Sequence, residues 1–524
     1  MKTQIRRLCG WMDETRDTFG AVLLYTFVIG MLAHAYSFFH SSFILDSLII
    51  DQLPDTPWQL SIGRPMIPVY YAMRASLNLP WLIGCLALFF LALAVYLMIR
   101  LLGIRSRISV MSVCGLCATC VTLAAGFATY NNTMDAYMFA LLLNVFGIYI
   151  TEKKRFGFVL GGLCCGVAMG LYQSYVQVAF ALIVILRIRD VLNKEGFVTL
   201  VVRTVRGLGV IAAAGLLYAV STAVTREVTG VELIQNYNSI KGMLNFNGFD
   251  YKDLILYMYR NVGDFHLYPN GYQTELTVAV NRVLLYLGVL ELALCVIRRR
   301  LNPLYIGYMV IGLYALPPAI NFVYVLTKGM IHQLMYFSYL MVYVLGLTLH
   351  EYLAALPPER VDPEGKWHWR LLNAKRAVLL VCVFLLLRNG VIFSNTAYLK
   401  RDLDDKANLS IMTRVADRIE STPEYVLGET PVVVIGEFQN AQMANVDRFS
   451  RFDTTFGMDY RVPVSGNVPQ YFNYVLQRRI ALVTDGEQQR QWQSREDVAA
   501  MPVFPYEGYV RVIDGTVVVK LSQP

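Results

Sequence analysis

The stretch PWLIGCLALFFLALAVYLMIR, residues 80–100, runs without a formal charge from Pro80 to Ile99 and ends on Arg100. A helix that crosses the hydrocarbon of a bilayer needs roughly 20 predominantly apolar residues. Such a segment must also pair all its backbone polar groups internally. Residues 80–100 therefore read as a transmembrane helix. Working outward, ten further stretches read the same way: 20–39, 108–128, 135–151, 157–172, 173–187, 206–224, 277–297, 303–323, 332–351 and 377–394. The pair 157–172 and 173–187 is short. It reads either as a re-entrant hairpin or as two helices packed against neighbours. After about residue 395 the apolar stretches stop and a polar tail follows. The sequence thus predicts a polytopic α-helical membrane protein of about eleven transmembrane helices, residues 1–395, with a small α/β domain at 396–524.

Composition agrees. Of 524 residues, 56% are hydrophobic and only 16% charged, against about 25% charged in soluble domains. The mean hydropathy is +0.45. The first span follows a charged segment, Met1 to Asp17, and exceeds the roughly 7–15 residues of a signal core, so it reads as an uncleaved anchor. Loops on the cytoplasmic side of a membrane are enriched in Lys and Arg. With the N-terminus inside, the inner loops before residue 395 hold twenty-three of them and the outer segments eight. That split predicts a cytoplasmic N-terminus and an outer C-terminal domain. It also accounts for the net charge of +8 without a nucleic-acid partner. Of the nine cysteines none falls in the outer loops or the tail, which leaves no disulfide framework. Cys114, Cys117 and Cys120 have a metal-like spacing, but lie in an apolar helix with no His or carboxylate nearby and read as small packing residues.

Two outer segments are long. The first, 40–79, holds Asp46, Asp51, Asp55 and Arg64, and Met66 to Leu77 has the spacing of an interfacial helix. The second, 225–276, is rich in Asn, Tyr and Gly, which suits turns, a sugar-binding surface or an interfacial aromatic belt. In the tail, 431–438 and 480–484 read as strands and 510–521 as a hairpin turning at Asp514-Gly515. Segments 405–421, 468–478 and 488–500 fit helices. The tail carries no nucleotide-binding glycine fingerprint.

Charges near hydrocarbon are costly and mark function. Here they gather at the outer helix ends: Asp46 and Asp51, Asp135, Tyr172-Gln173, Lys328 and His332, with Arg388 in the outer half of the last span. One chemistry suits this set, attack of a hydroxyl on a sugar carried by a membrane lipid phosphate. The hydroxyl needs a positioned carboxylate as base. The departing phosphate needs positive charge from Arg, Lys, His or a metal. Each residue also has a plainer reading. Asp46 caps a helix starting at Ser47, Asp55 belongs to a Pro-flanked turn, Arg64 snorkels to lipid headgroups, and Gln173 bonds one helix to another.

The order of motifs resembles a known family. Asp46-Ser47 follows the first span. Leu60-Ser61-Ile62-Gly63-Arg64, a span ending Tyr96 to Ile104, Asp135-Ala136-Tyr137 and Tyr172-Gln173-Ser174-Tyr175 come after it. This is similar to the GtrII-type glucosyltransferases, phage- and bacterium-encoded membrane proteins that modify O-antigen, over residues 20–200 and more loosely over the membrane part. The resemblance implies a GT-C-like, inverting glycosyltransferase of the bacterial inner membrane. Its donor would be a polyprenyl-phosphate-linked sugar on the periplasmic side, and its acceptor a lipid-linked or growing glycan such as O-antigen. By position Asp46 matches the base, with Asp51 as fallback, Arg64 the loop arginine, and Asp135 and Gln173 the outer polar positions. No cofactor is implied. A divalent metal stays open as a source of positive charge. A lipid-linked sugar flippase, an O-antigen polymerase and an envelope scaffold are the competing readings.

Overall fold

Apolar segments satisfy their own backbone hydrogen bonds by coiling, and the computed structural model of the chain is built from such coils. It describes residues 2–40, 48, 52, 55–234, 251–327, 331–357, 366–437, 449, 452 and 468–523, the side chains of 2–16, 251 and 366–372 excepted. The helices of the membrane part are α1 (Lys2–Phe39), α2 (Thr56–Ser61), α3 (Ile67–Met73), α4 (Pro80–Leu102), α5 (Arg107–Ala118), α6 (Val121–Thr129), α7 (Met134–Lys153), α8 (Gly157–Leu171), α9 (Val176–Leu192) and α10 (Phe197–Thr229). They continue with α11 (Tyr251–Leu267), α12 (Glu275–Arg299), α13 (Pro303–Ile320), α14 (Phe322–Leu326), α15 (Met341–Ala354) and α16 (Lys366–Glu420).

Among the described residues eight segments are long and apolar enough to cross a membrane: Asp17–Phe39, Pro80–Leu102, Arg107–Thr129, Asn131–Lys153, Phe197–Thr229, Glu275–Arg299, Pro303–Ile320 and Asn373–Glu420. The other three expected spans are also helical but shorter, with 15 residues in α8, 17 in α9 and 14 in α15. The expected eleven thus resolve into eight of full length and three shorter helices. Over 157–187 the packed pair of helices, not the hairpin, is observed. Short 3-10 helices precede α7, α9 and α15 at Asn131–Thr133, Gln173–Tyr175 and Gln333–Leu340.

The span of α5 and α6 is central, with 89% of its apolar window buried, whereas those of α12 and α13 are 22% buried and peripheral. Around it α7 packs on α4 and α8, α8 on α10, α9 on α13, and α1 on α4, α5 and α16. The α7–α8 contact is close because glycines meet there. A side chain at Gly161 would stand 2.7 Å from the Gly147 carbonyl. A buried histidine ties three elements together. His34 Nε2 donates to the Ala118 carbonyl at 2.7 Å, leaving Nδ1 to accept from the Tyr398 hydroxyl at 2.6 Å.

The loops sort to two ends. At one, Tyr305 reaches the Glu195 carbonyl, Tyr352 the Leu192 carbonyl, and the Ser109 hydroxyl donates to Glu351 at 2.7 Å. These are the loops rich in Lys and Arg. At the other end lie 55–79, 130–135, 172–176, 229–234 and 331–340, joined by bonds such as Ile234 N–H to the Ser61 carbonyl. The second outer segment is not all loop: α10 runs on to Thr229 and α11 occupies 251–267.

The tail is a four-stranded sheet of order β2-β1-β4-β3, from β1 (Pro431–Ile435), β2 (Ala481–Leu482), β3 (Val510–Ile513) and β4 (Thr516–Lys520). β1 is parallel to both neighbours, and β3–β4 is the expected hairpin, its turn residues Asp514 and Gly515 both at positive φ. The expected helix 405–421 is not separate. It is the end of the 55-residue α16, whose Met412, Val415 and Ile419 are buried against Val432 and Val517 of the sheet. The expected helix at 488–500 divides into α17 (Gly486–Gln493) and α18 (Glu496–Ala499), and 468–478 forms one short turn of helix and a π-type turn.

Candidate active site

The first outer loop folds inward at its middle. α2 ends at Ser61, Gly63 takes a φ of +78° that a side chain would oppose, and the chain reverses into α3. The Gly63 carbonyl accepts two bonds from other elements. One is from Gln173 Nε2 at 2.8 Å and the other from the Tyr218 hydroxyl at 2.8 Å. Gln173 Nε2 also donates to the Tyr218 hydroxyl at 2.7 Å. Gln173 therefore clamps the loop at the residue before Arg64. The bond to Tyr218 of α10 is the expected link from one helix to another, and the bond to the Gly63 carbonyl is additional to it.

Arg64 is turned into the protein. Its Nη1 donates to the Tyr137 hydroxyl at 2.8 Å, and its guanidinium stands over the rings of Tyr172 and Tyr137 at 5.2 and 5.5 Å. Those rings are stacked at 4.2 Å and buried. Tyrosine faces are electron-rich, so the pair holds the cation in place. Arg64 Nη1 also reaches Gln59 Oε1 at 3.3 Å, and Gln59 Nε2 donates to Asp55 at 2.5 Å. His332 lies within electrostatic reach of Arg64.

Asp135 is fully buried, and Arg74 Nη1 donates to its Oδ2 at 2.7 Å. Arg74 also donates to Gln52 Oε1 and to the Asn132 carbonyl. The Ala136 N–H adds a bond to Asp135 at 2.9 Å, and the Tyr70 hydroxyl a further one. Burial, with the Asp135 carboxylate beside it, pushes Tyr70 well above its usual range and keeps that donor protonated. Asp135 thus spends its acceptors on fastening the first outer loop to α7, rather than standing open to a ligand. Arg74, its partner, was not singled out from the sequence, although an arginine in the same loop as Arg64 was the available signal.

Of the predicted residues, Arg64, Asp135, Tyr172, Gln173 and His332 gather at the outer end. Arg388 lies on the exposed side of α16, and no contact joins it to them among the described residues. Asp46, Asp51 and Lys328 fall outside the described residues. Tyr137, Tyr218 and Gln59 are members the sequence reading missed; Tyr137 stands within the quoted motif Asp135-Ala136-Tyr137. Among the described residues no group of three His, Cys, Asp or Glu side chains is arranged to hold a metal ion. At the opposite end a second buried cluster joins Glu291 to His350 at 2.8 Å and to Lys375 at 3.2 Å.

A family model described as Glucosyl transferase GtrII matches residues 35–349. The chain therefore belongs to this family and is a membrane glucosyltransferase. The match takes in the whole Arg64 cluster and stops before α16 and the tail. No curated protein and no solved structure matches the chain.

Proposed function

We propose that this GtrII-family glucosyltransferase moves a glucosyl group from a polyprenyl-phosphate donor to O-antigen or a related surface glycan. The work is done at the periplasmic face of the bacterial inner membrane, with the N-terminus cytoplasmic and the tail domain periplasmic. The observation that carries the reading is Arg64, held by two stacked tyrosines at the end of the bundle opposite the Lys/Arg-rich loops. A guanidinium grips phosphate through two parallel donors. At the edge of hydrocarbon its charge is less screened than in water.

In the reaction an acceptor hydroxyl attacks C1 of the glucosyl group from the face opposite the phosphate. The bond between C1 and the phosphate oxygen breaks, and the phosphate leaves with the electron pair, so the configuration at C1 inverts. The hydroxyl proton passes to a carboxylate of the first outer loop, Asp46, with Asp51 as the alternative. Arg64 stabilises the departing charge, while His332, kept neutral by burial and by Arg64, can offer a hydrogen bond. Gln173, Tyr218 and the Arg74–Asp135 pair hold the loop that carries Arg64. A flippase would favour polar groups at mid-membrane, whereas here the polar cluster sits at one end.

The test is transfer by the purified protein from polyprenyl-phosphate glucose to O-antigen oligosaccharide. Asp46→Asn should lower kcat by about 10²–10⁴, the usual worth of a general base, with insertion intact. If Asp46→Asn is near wild type and Asp51→Asn is inactive, the base is Asp51. If both stay active, the assignment of the base to this loop fails. Donor movement across vesicles without any transfer would support the flippase instead.

A further inference from the structure

α11 has two faces. Leu254, Met258, Val262 and His266, four residues apart, are buried against the bundle. On another face Tyr257, Asn261 and Asp264, followed by Tyr268 just past the helix end, line a recess of about 1150 Å³. Gln333 and Tyr336 close it from the other side. The recess reaches inward from the outer turn at 331–333: the Gln333 carbonyl accepts from Thr122, and the Tyr272 hydroxyl donates to the Thr119 carbonyl, both near the middle of the α5–α6 span. Its residues Ile331 and Gln333 flank His332, on which the Arg64 charge acts. The recess therefore adjoins the turn that carries His332, beside Arg64.

Its chemistry selects a ligand class. It is larger than the roughly 300–1,000 Å³ of most small-molecule sites, which suits a chain of several units. A hydrocarbon chain there would strip water from the charged pair Arg260–Asp264 and from the Asn261 amide, at a cost in desolvation. An anion is also disfavoured, because the arginine lining the recess, Arg260, is matched by Asp264 at 3.5 Å, so that the lining residues carry no net charge. What remains is a neutral or weakly charged polyhydroxyl chain. Carboxylate and amide groups bond its hydroxyls, and tyrosine rings offer an apolar face with a polar tip to its ring carbons. Tyr257 and Tyr268 are 44% and 59% exposed, so their rings are not committed to the core. They line a concavity, unlike the rings of an interfacial belt, which face the headgroups.

We propose that this recess binds the acceptor glycan over several sugar units and directs its reacting hydroxyl toward the Arg64 end. The inference rests on the glucosyltransferase reading above, and names the place where the acceptor is held.

The experiment uses the full-length protein in proteoliposomes, polyprenyl-phosphate glucose, and O-antigen oligosaccharides of one, two and four repeating units. In the wild type, acceptor KM should fall with length. Tyr268→Ala and Asp264→Asn should raise the KM of the longest acceptor about tenfold, a change typical of losing an aromatic or hydrogen-bonding contact. The effect should fall on acceptor KM rather than on donor KM or kcat, and Tyr268→Phe, which keeps the ring, should stay near the wild type. Unchanged acceptor KM in both variants overturns the inference, as does an equal rise in donor KM. Calorimetric binding of the same oligosaccharides without donor separates the two readings. If the wild type binds them and Tyr268→Ala binds about tenfold more weakly, yet no glucose is transferred, the recess stands and the transferase reading fails. Equal binding by both proteins overturns the recess.

Discussion

Replacing Asp135 by Ala should undock the first outer loop. Arg74 and Asp135 meet at 2.7 Å with side chains 5% and 0% exposed. Removing one member of such a buried pair leaves the other charge uncompensated and costs about 3–5 kcal/mol. Arg74 would retain only the neutral acceptors Gln52 Oε1 and the Asn132 carbonyl. At about 1.4 kcal/mol per tenfold, the undocked loop becomes about 10²- to 4 × 10³-fold more populated. Hydrogen–deuterium exchange reads this directly, as lost protection of the α3 amides while α4 and α7 keep theirs. Glucosyl transfer should fall with it, because the same loop carries Arg64. Replacing both charges, Arg74→Met with Asp135→Leu, should restore most of the protection and much of the transfer, since apolar residues often substitute for a buried ion pair. Wild-type protection in Asp135→Ala would refute the docking argument. A double variant that is protected but inactive would instead put Asp135 on the substrate.

Arg64→Lys should lose at least tenfold in donor use, since an ammonium cannot reproduce the two parallel donors of a guanidinium, and Arg64→Ala should lose more; full activity in Arg64→Lys would return Arg64 to a snorkelling role. A reporter fused after Pro524 should be active only in the periplasm, and cytoplasmic activity would reverse the orientation. In the tail, the hydrogen bond from Arg495 holds Asp497 below its usual 3.8. Its contribution is therefore full above that value and lost as pH falls below it, so Asp497→Asn should flatten the acid limb of the tail's unfolding curve.

How much was legible follows from how each signal is written along the chain. Transfer of apolar residues out of water acts residue by residue, so a window over 80–100 already contains the reason for that span. The same holds for the Lys/Arg asymmetry, and for the tail hairpin, whose Asp-Gly turn and alternating valines are local. α11 had a local signal as well, the four-residue spacing of Leu254, Met258 and Val262, but the Asn and Gly around it pointed to turns. The merging of 405–421 into α16 had none, because no cap or proline marks where the apolar span ends.

The sequence alone therefore determined that this is a membrane protein of the GtrII type, with its polar groups at one end and a small α/β tail. Only the tertiary structure decided which of those groups meet. Arg64 comes from the first loop, Tyr137 from α7, Tyr172 and Gln173 from the α8–α9 turn, Tyr218 from α10 and His332 from the turn before α15. Their contacts depend on how closely the helices approach, through pairs such as Gly147 and Gly161, and on hydrogen bonds across more than a hundred residues, such as Gln173 to Gly63. No period or spacing along the chain records such a distance. The physical reason is that burial in a bilayer is a property of each segment, while a site is a property of how segments pack.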